Sequence, residues 1–140
     1  MPNLSDPHPG ACHCGAVRFE ARLTDGMKTA RRCNCSICRM RGAVAVSAPL
    51  DGFRILEGQE NLVLYQFNTR VAEHWFCATC GIYTHHRRRS NPNEYGVNVA
   101  CLEGWSPFDL TEVAVLNGGA HPKDATGASN FAGILRFDPD

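Results

Sequence analysis

The sequence lacks an excess of charge of either sign. Its 14 Lys and Arg residues balance its 14 Asp and Glu residues, so the formal net charge is +0 and the pI is about 7.0. A strongly basic protein would attract nucleic acid or an anionic membrane through its long-range field. The balance argues against both kinds of partner for the chain as a whole.

The sequence also lacks a long apolar run, and its first residues do not read as a signal peptide. No stretch approaches the roughly 18 residues that span a bilayer. The first ten residues, MPNLSDPHPG, have neither the basic start nor the apolar segment of a secretory signal. We therefore expect a cytoplasmic protein without membrane contact, with a disordered lead over residues 1–9 and a single domain over residues 10–137.

Cysteine, by contrast, is abundant, with eight residues in 140. In a reducing compartment, disulfides are disfavoured and metal binding is favoured. The alternative is a secreted disulfide protein whose signal has been removed. C-x-C and C-x-x-C pairs are strained as local disulfides but are natural as chelating pairs, which favours metal.

Two of the chelating pairs lie far apart in the sequence and together supply four thiolates. This is the usual form of a structural zinc site, which would tie the N-terminal strand to the middle of the chain. The predicted ligands are Cys12, Cys14, Cys77 and Cys80.

Cys33, Cys35 and Cys38 place three more thiols within six residues. Three thiolates can hold a zinc ion and leave its fourth tetrahedral position free, as in catalytic sites. The sequence thus predicts two zinc ions per chain, one structural and one catalytic. The alternative makes Cys101 a fourth ligand and closes both sites, but Cys101 continues the apolar face of Val97 and Val99 and is more simply a buried small residue.

Several histidines are further candidates for the fourth position, although most histidines of this kind are not ligands. His121, in a Gly-rich loop that ends in Pro122, is the best candidate for a role near the open site. The others are His13, His74, His85 and His86.

Arginines flank the three-thiol loop, at Arg31, Arg32, Arg39 and Arg41. They could compensate charge and keep the thiolates deprotonated. They could instead hold substrate carboxylates, because guanidinium suits that geometry. We take Arg39 and His121 as the substrate-binding candidates, and we interpret Arg87–Arg89 as a solvated loop.

Short runs of alternating or apolar residues, separated by turn signals, predict a mainly β fold. Val17, Phe19, Ala21 and Leu23 give the strongest such alternation. Helix is limited to one or two short turns, the clearest running from Ser36 to Arg41 and ending at Gly42. The run from Leu62 to Phe67 is apolar on both faces and predicts a central strand. A structural metal would stabilise so small a sheet.

Three cysteine motifs give the chain a resemblance to the glutathione-dependent formaldehyde-activating enzyme family. They are G-x-C-H-C-G-x-V-x-F at Gly10–Phe19, C-x-C-S-x-C-R-x-x-G at Cys33–Gly42 and F-C-x-x-C-G-I-Y-x-H at Phe76–His85. The resemblance covers roughly residues 10 to 122, and the three motifs together are specific.

The resemblance implies a zinc-stapled, tent-like β fold of short antiparallel strands. It implies the same division of ligands, with Cys12, Cys14, Cys77 and Cys80 on the structural zinc and Cys33, Cys35 and Cys38 on the catalytic one. It also implies a carbon–sulfur lyase that joins a thiol such as glutathione to a small aldehyde such as formaldehyde, or cleaves the S-hydroxymethyl adduct.

Two other classes of function remain open from the sequence. One is a non-enzymatic zinc module that binds a protein or nucleic acid, against which the neutral charge and the missing basic tail argue. The other is a metal or redox buffer.

Overall fold

A computed structural model describes residues 4–89, 91–118 and 131–140 of the chain. These residues form a mainly β structure with one α-helix, α1 (Ser36–Arg41), and five short 3₁₀ turns. The predicted fold class is confirmed. The strands are β1 (Leu4–Ala11), β2 (Arg18–Thr24), β3 (Arg31–Cys33), β4 (Ala45–Pro49), β5 (Phe53–Glu57), β6 (Leu62–Tyr65), β7 (Glu73–Cys77), β8 (Tyr83–Arg87), β9 (Glu94–Asn98), β10 (Glu112–Leu116) and β11 (Phe131–Arg136).

The strands form two sheets. The smaller has the order β1-β2-β5, and the larger has the order β11-β10-β3-β4-β9-β8-β7-β6. Among the described residues, all pairings are antiparallel except that of β3 with β10. That parallel pairing brings the end of β10 beside Cys33, because Leu116 is its partner in the ladder.

The core lies between the two sheets. The alternation predicted around Phe19 is confirmed, since Phe19, Ala21 and Leu23 of β2 are fully buried and Arg18 and Arg22 face outward. They pack against Val46 of β4 and Val97 of β9. The core therefore holds β4 against the smaller sheet. β3, which ends at Cys33, pairs with β4 and is positioned by it.

Two sequence predictions differ from the structure. The disordered lead is wrong from Leu4 onward, because β1 pairs with β2. Pro7 and Pro9 are tolerated there, since β1 lies at the edge of its sheet and a proline needs no ladder partner on its open side. The run from Leu62 is an edge strand rather than a central one, and Tyr65 is 48% exposed. Apolar residues on both faces indicate a central strand only where layers cover both faces.

None of the helices in the described ranges is both long and apolar enough to cross a membrane.

Candidate metal centres and the cavity above them

Two tight turns bring four of the cysteines together. Gly15 follows the first pair with φ +81° and Gly81 follows the second with φ +76°. A side chain at either position would be strained, so glycine lets the chain turn back after each pair. Backbone N–H groups point at the sulfurs, with Val17 N donating to Cys12 Sγ at 3.3 Å and Thr79 N to Cys77 Sγ at 3.4 Å. The turns are built to hold thiolates.

The spacing of these sulfurs fits a tetrahedral ion. Cys14 Sγ lies 3.7 Å from both Cys12 Sγ and Cys77 Sγ. Four sulfurs about 2.3 Å from a zinc ion would be about 3.8 Å apart. The Sγ atom of Cys80 completes the group, in which all ligand atoms lie within 4.8 Å of one another. Asn61 Nδ2 adds a donor to Cys77 Sγ at 3.2 Å. This four-cysteine cluster can therefore hold a metal with its own side chains alone.

The three-cysteine cluster sits where β3 turns into α1. Cys33 ends β3, Cys35 is the N-cap of α1 and Cys38 lies one turn into it. The helix stops at Gly42, which has φ +71° and donates its N–H to the Cys38 carbonyl oxygen at 2.9 Å. The predicted short helix is thus confirmed, and its first turn brings all three sulfurs within 4.8 Å of one another.

Hydrogen bonding among the three thiols shifts their pKa values in opposite directions. Hydrogen bonds from Cys33 and then Cys38 lower the pKa of Cys35 to about 2. The bond with Cys35 raises the pKa of Cys33, and the bond with Cys33 raises that of Cys38. Without a cation, one thiolate forms readily and opposes the next two. A bound cation reverses this opposition and would stabilise all three charges, so the donor set suits a metal.

Cys101 is not part of either cluster. It is 8% exposed in the core, and its Sγ donates to the Tyr83 carbonyl oxygen at 3.6 Å. Among the described residues, no Asp, Glu or His joins the three-cysteine cluster either. Among the described residues, a metal held there would therefore have three ligands, the sulfurs of Cys33, Cys35 and Cys38.

The loop after β10 closes one side of this cluster. Gly118 N donates to Asn34 Oδ1 at 2.8 Å, and Asn34 N donates to the Leu116 carbonyl oxygen at 3.1 Å. A Cβ atom on Gly118 would collide with Cys33 Sγ and with Cys35. Glycine is required at this position because the backbone passes directly over the sulfurs.

A cavity of about 540 Å³ opens above the three-cysteine cluster. This is a common volume for a small-molecule site. No carboxylate lines it among the described residues, whereas six arginines do. The cavity therefore favours an anionic ligand. The arginines are Arg31, Arg32, Arg39, Arg41, Arg88 and Arg89.

The guanidinium group of Arg41 makes two polar contacts at the base of this cavity. Its Nη2 donates to Cys38 Sγ at 3.5 Å, and its Nη1 lies 3.1 Å from His74 Nδ1. Guanidinium has no acceptor, so His74 accepts through Nδ1 and carries its proton on Nε2. Burial, reinforced by the charge of Arg41, lowers the pKa of His74 to about 4. Arg41 also stacks 3.6 Å from the centroid of Tyr83.

Tyr83 and His86 form the neighbouring wall. The Tyr83 hydroxyl lies 2.5 Å from His86 Nδ1 and 3.3 Å from the Gly96 carbonyl oxygen. Burial raises the pKa of Tyr83, and burial together with the charge of Arg41 depresses that of His86. Both groups are thus neutral at physiological pH. Strict alternation would point residues 83 and 86 to opposite faces, but a bulge between β7 and β8 brings both to the cavity.

A chain of buried and partly buried polar groups runs from Arg31 to Arg88. Arg31 Nη1 donates to Ser47 Oγ at 2.8 Å and to the Thr29 carbonyl oxygen at 3.1 Å. Ser47 Oγ donates to Glu94 Oε1 at 3.1 Å, and Glu94 also pairs with Arg88. The second amino group, Arg31 Nη2, is buried with no partner among the described residues. Burial lowers the pKa of Arg31 to about 10, which leaves it cationic near neutral pH.

The other predicted site residues differ in whether they line the cavity. Arg39 is exposed on α1 and lines the cavity. His121 and Pro122 lie outside the described residues. The interpretation of Arg87–Arg89 as a solvated loop is wrong for Arg88 and Arg89, which line the cavity. His74 and His86 line it as well, and only contacts between strands could reveal that.

The fold and these clusters define a small β protein with two groups of cysteine sulfurs, one of four and one of three, each close enough together to hold a metal ion. The chain belongs to the glutathione-dependent formaldehyde-activating enzyme family, whose model matches residues 7–114.

The chain is also similar to two individual proteins. A Halomonas elongata protein, provisionally named a glutathione-dependent formaldehyde-activating enzyme, is 35% identical over 80 residues, or 51% of this chain and 50% of that protein. The chain thus spans about half the length of this curated relative. The crystal structure of a Rhodobacter sphaeroides protein superposes with a TM-score of 0.75 at 64% identity, covering 76% of this chain and 98% of that one.

Proposed function

We propose that the protein is a zinc-dependent enzyme of the carbon–sulfur lyase type, an S-(hydroxymethyl)glutathione synthase-like protein. It would join an anionic, glutathione-like thiol to a small aldehyde such as formaldehyde, or cleave the S-hydroxymethyl adduct. Family membership and the name of the Halomonas relative support this chemistry. The observation that carries it is the placement of three cysteine sulfurs, without a fourth ligand from the described residues, below a cavity rich in arginine.

The two clusters would divide the work. Cys12, Cys14, Cys77 and Cys80 would bind a structural zinc, because four thiolates leave it no free position. Cys33, Cys35 and Cys38 would bind the catalytic zinc. When bound there, zinc supplies a site at which a substrate thiol loses its proton near neutral pH.

The overall reaction is a balanced addition. The sulfur of the thiolate donates an electron pair to the carbonyl carbon, so a C–S bond forms and the carbonyl π bond becomes an alkoxide. That oxygen then gains a proton, which balances the one that the thiol lost. The reverse reaction breaks the C–S bond and releases the aldehyde.

The chain's own residues would bind, orient and shield the reactants. The arginines of the cavity would attract and hold the carboxylates of the thiol, with Arg39 and His121 as candidates at its rim. Gly118 lets the β10 loop cover the sulfurs on one side. Tyr83 and His86, both neutral, line the cavity, and the Tyr83 hydroxyl is held by His86 and by the Gly96 carbonyl oxygen, so the two side chains shape the wall without adding charge.

Metal analysis of paired variants tests the division of roles. Cys35→Ser should leave a folded protein that binds one zinc per chain and has no activity. Cys77→Ser should lose the other zinc and much of its solubility, because its cluster joins strands of both sheets. Zinc per chain, circular dichroism and adduct formation from glutathione and formaldehyde are the measurements.

Cys101→Ser is the matched control, since Cys101 lies outside both clusters. It should keep two zinc ions per chain. If Cys35→Ser and Cys77→Ser lost zinc, solubility and activity alike, the proposed division would be wrong.

A further inference from the structure

We propose that Arg31 binds a carboxylate of the thiol substrate in the wall of the cavity, a role that rests on the proposed function. The buried polar chain through Ser47 contains two cations, Arg31 and Arg88, and one carboxylate, Glu94. Burying an uncompensated charge is costly, so a surplus of one positive charge indicates a missing anion.

Other charges do not remove this surplus. Arg41 faces the thiolates, with its Nη2 on Cys38 Sγ. A zinc held by three thiolates carries about −1 by ligand counting, and Arg41 balances that charge. Glu94 is already engaged by Arg88 and by the Ser47 hydroxyl. Within this polar chain, the cation that has no direct contact with a carboxylate is Arg31.

Among the described residues, the buried side-chain donors without a partner are Arg31 Nη2, Arg41 Nε and Arg87 Nε. Arg31 and Arg41 line the cavity, but both amino groups of Arg41 are engaged, by Cys38 and His74. The free amino group is therefore that of Arg31.

One arm of Arg31 is fixed by Ser47 and Thr29, and the other arm, Nη2, is buried without a partner in the described part of the chain. Buried donors nearly always have a partner, so an orphan donor in the wall of a cavity indicates a ligand acceptor. The fixed arm also orients the free one in advance, which reduces the entropy lost on binding.

The strand brings the two ends of this ligand into one cavity. Arg31 and Cys33 are two apart on β3, so their side chains lie on the same face of the strand. Both residues line the cavity. A carboxylate on Arg31 and a sulfur near Cys33 can therefore belong to one ligand, and the ligand class is a small thiol that also carries a carboxylate, as in a short peptide.

The test uses S-methylglutathione, which keeps the carboxylates but has no free thiol. Its affinity for the zinc-loaded protein is measured by calorimetry, beside that of its diethyl ester. Arg31→Gln should weaken binding of the acid about 10- to 100-fold, the worth of a charge-assisted hydrogen bond. It should leave binding of the ester unchanged.

Two arginine variants serve as controls. Arg54→Gln, on the smaller sheet and outside the cavity, should bind both ligands as the wild type does. Wild-type affinity in Arg31→Gln, or the loss appearing in Arg39→Gln instead, would overturn the proposal.

A second variant covers the case in which Arg31→Gln does not fold. Glu94→Gln removes the one carboxylate of the polar chain, which raises the positive charge around Arg31, so S-methylglutathione should bind several-fold more tightly and with a steeper salt dependence. A purely structural role of the chain would not tighten binding, and unchanged or weaker binding by Glu94→Gln would refute the assignment.

A separate measurement tests the thiol chemistry of the proposed function independently of the carboxylate site at Arg31. Glutathione is titrated into the cobalt-substituted protein, whose absorption reports on ligands of the metal. If glutathione left the spectrum unchanged while S-methylglutathione still bound through Arg31, the thiol chemistry would fail and the carboxylate site would stand.

Discussion

The eight cysteines occupy three kinds of surroundings, and the neighbours of each sulfur decide its chemistry. Cys101 is enclosed by apolar core residues, and burial raises its pKa to about 12. The sulfurs of Cys12 and Cys77 accept backbone N–H bonds. Cys38 accepts instead from a guanidinium group, that of Arg41. Hydrogen bonds of this kind to a metal ligand tune its charge and orientation.

Arg41→Gln should lower the zinc affinity of the three-cysteine cluster about 10- to 100-fold, the usual cost of losing a hydrogen-bond partner of a ligand. The physical reason is that the variant removes both a donor to Cys38 Sγ and the charge that balances the thiolates. Competition with a chromogenic zinc chelator measures the affinity.

Arg39→Gln is the matched control, because Arg39 lies on the same helix but is exposed. It should change zinc affinity little. Equal losses of zinc affinity in the two variants would mean that the positive charge of α1 as a whole, rather than the hydrogen bond from Arg41 to Cys38 Sγ, stabilises the site.

At the scale of elements, the open site is assembled from β3, α1 and the loop after β10. The parallel pairing of Leu116 with Cys33 fixes the loop over the sulfurs. The hydrogen bonds between Asn34 and the segment Leu116–Gly118 then hold it there. A change in that loop should therefore alter metal binding, although its described residues, Asn117 and Gly118, supply no ligand.

Gly118→Ala tests this contact. Its added Cβ would collide with Cys33 and Cys35, so the loop or the sulfurs must shift. We expect reduced zinc occupancy at the three-cysteine cluster, with the four-cysteine cluster still loaded. Metal analysis after dialysis against a weak chelator gives the occupancy.

Gly133→Ala in β11 provides the comparison, because no described residue other than its chain neighbours lies within 4 Å of the added Cβ. Full zinc occupancy is expected there. Two zinc ions per chain in Gly118→Ala would show that the loop yields without disturbing the sulfurs.

At the scale of the whole molecule, the four-cysteine cluster joins the two sheets. Cys12 follows β1 of the smaller sheet, and Cys77 ends β7 of the larger one. The aromatic layer between the sheets also joins them, since the ring centroid of Phe53 in β5 lies 4.3 Å from that of His85 in β8. Acid should therefore act on the molecule as a whole through groups buried in this layer.

His85 should make the protein less stable as the pH falls. Burial lowers its pKa to about 3, whereas an unfolded histidine titrates near 6.5. Between these values the unfolded chain binds a proton that the folded chain excludes, so stability falls with falling pH by up to about 1.4 kcal/mol per pH unit.

His85→Phe should remove this contribution and give a shallower pH dependence between about pH 6 and 4. Urea unfolding of both proteins at matched zinc concentration measures it, and their difference cancels the acid lability of the metal sites. Parallel curves for the two proteins would contradict the assignment.

The sequence by itself determined the ligand clusters and the fold class. Chelating pairs depend on spacings of two or three residues, and the alternation around Phe19 depends on a period of two. Both are local properties of the sequence, which do not depend on contacts between elements distant along the chain. The glycines after each ligand pair, Gly15 and Gly81, act locally as well and were predictable for the same reason.

Only the tertiary structure decided what surrounds the sulfurs. His74, His86 and Arg88 reach the cavity from strands distant in sequence, and Gly118 arrives through a parallel pairing. A bulge turns Tyr83 and His86 to one side, which alternation cannot predict. The surplus charge at Arg31 likewise appears only when Ser47 and Glu94 are brought beside it. Burial and charge balance depend on contacts between elements, and the fold alone supplies those contacts.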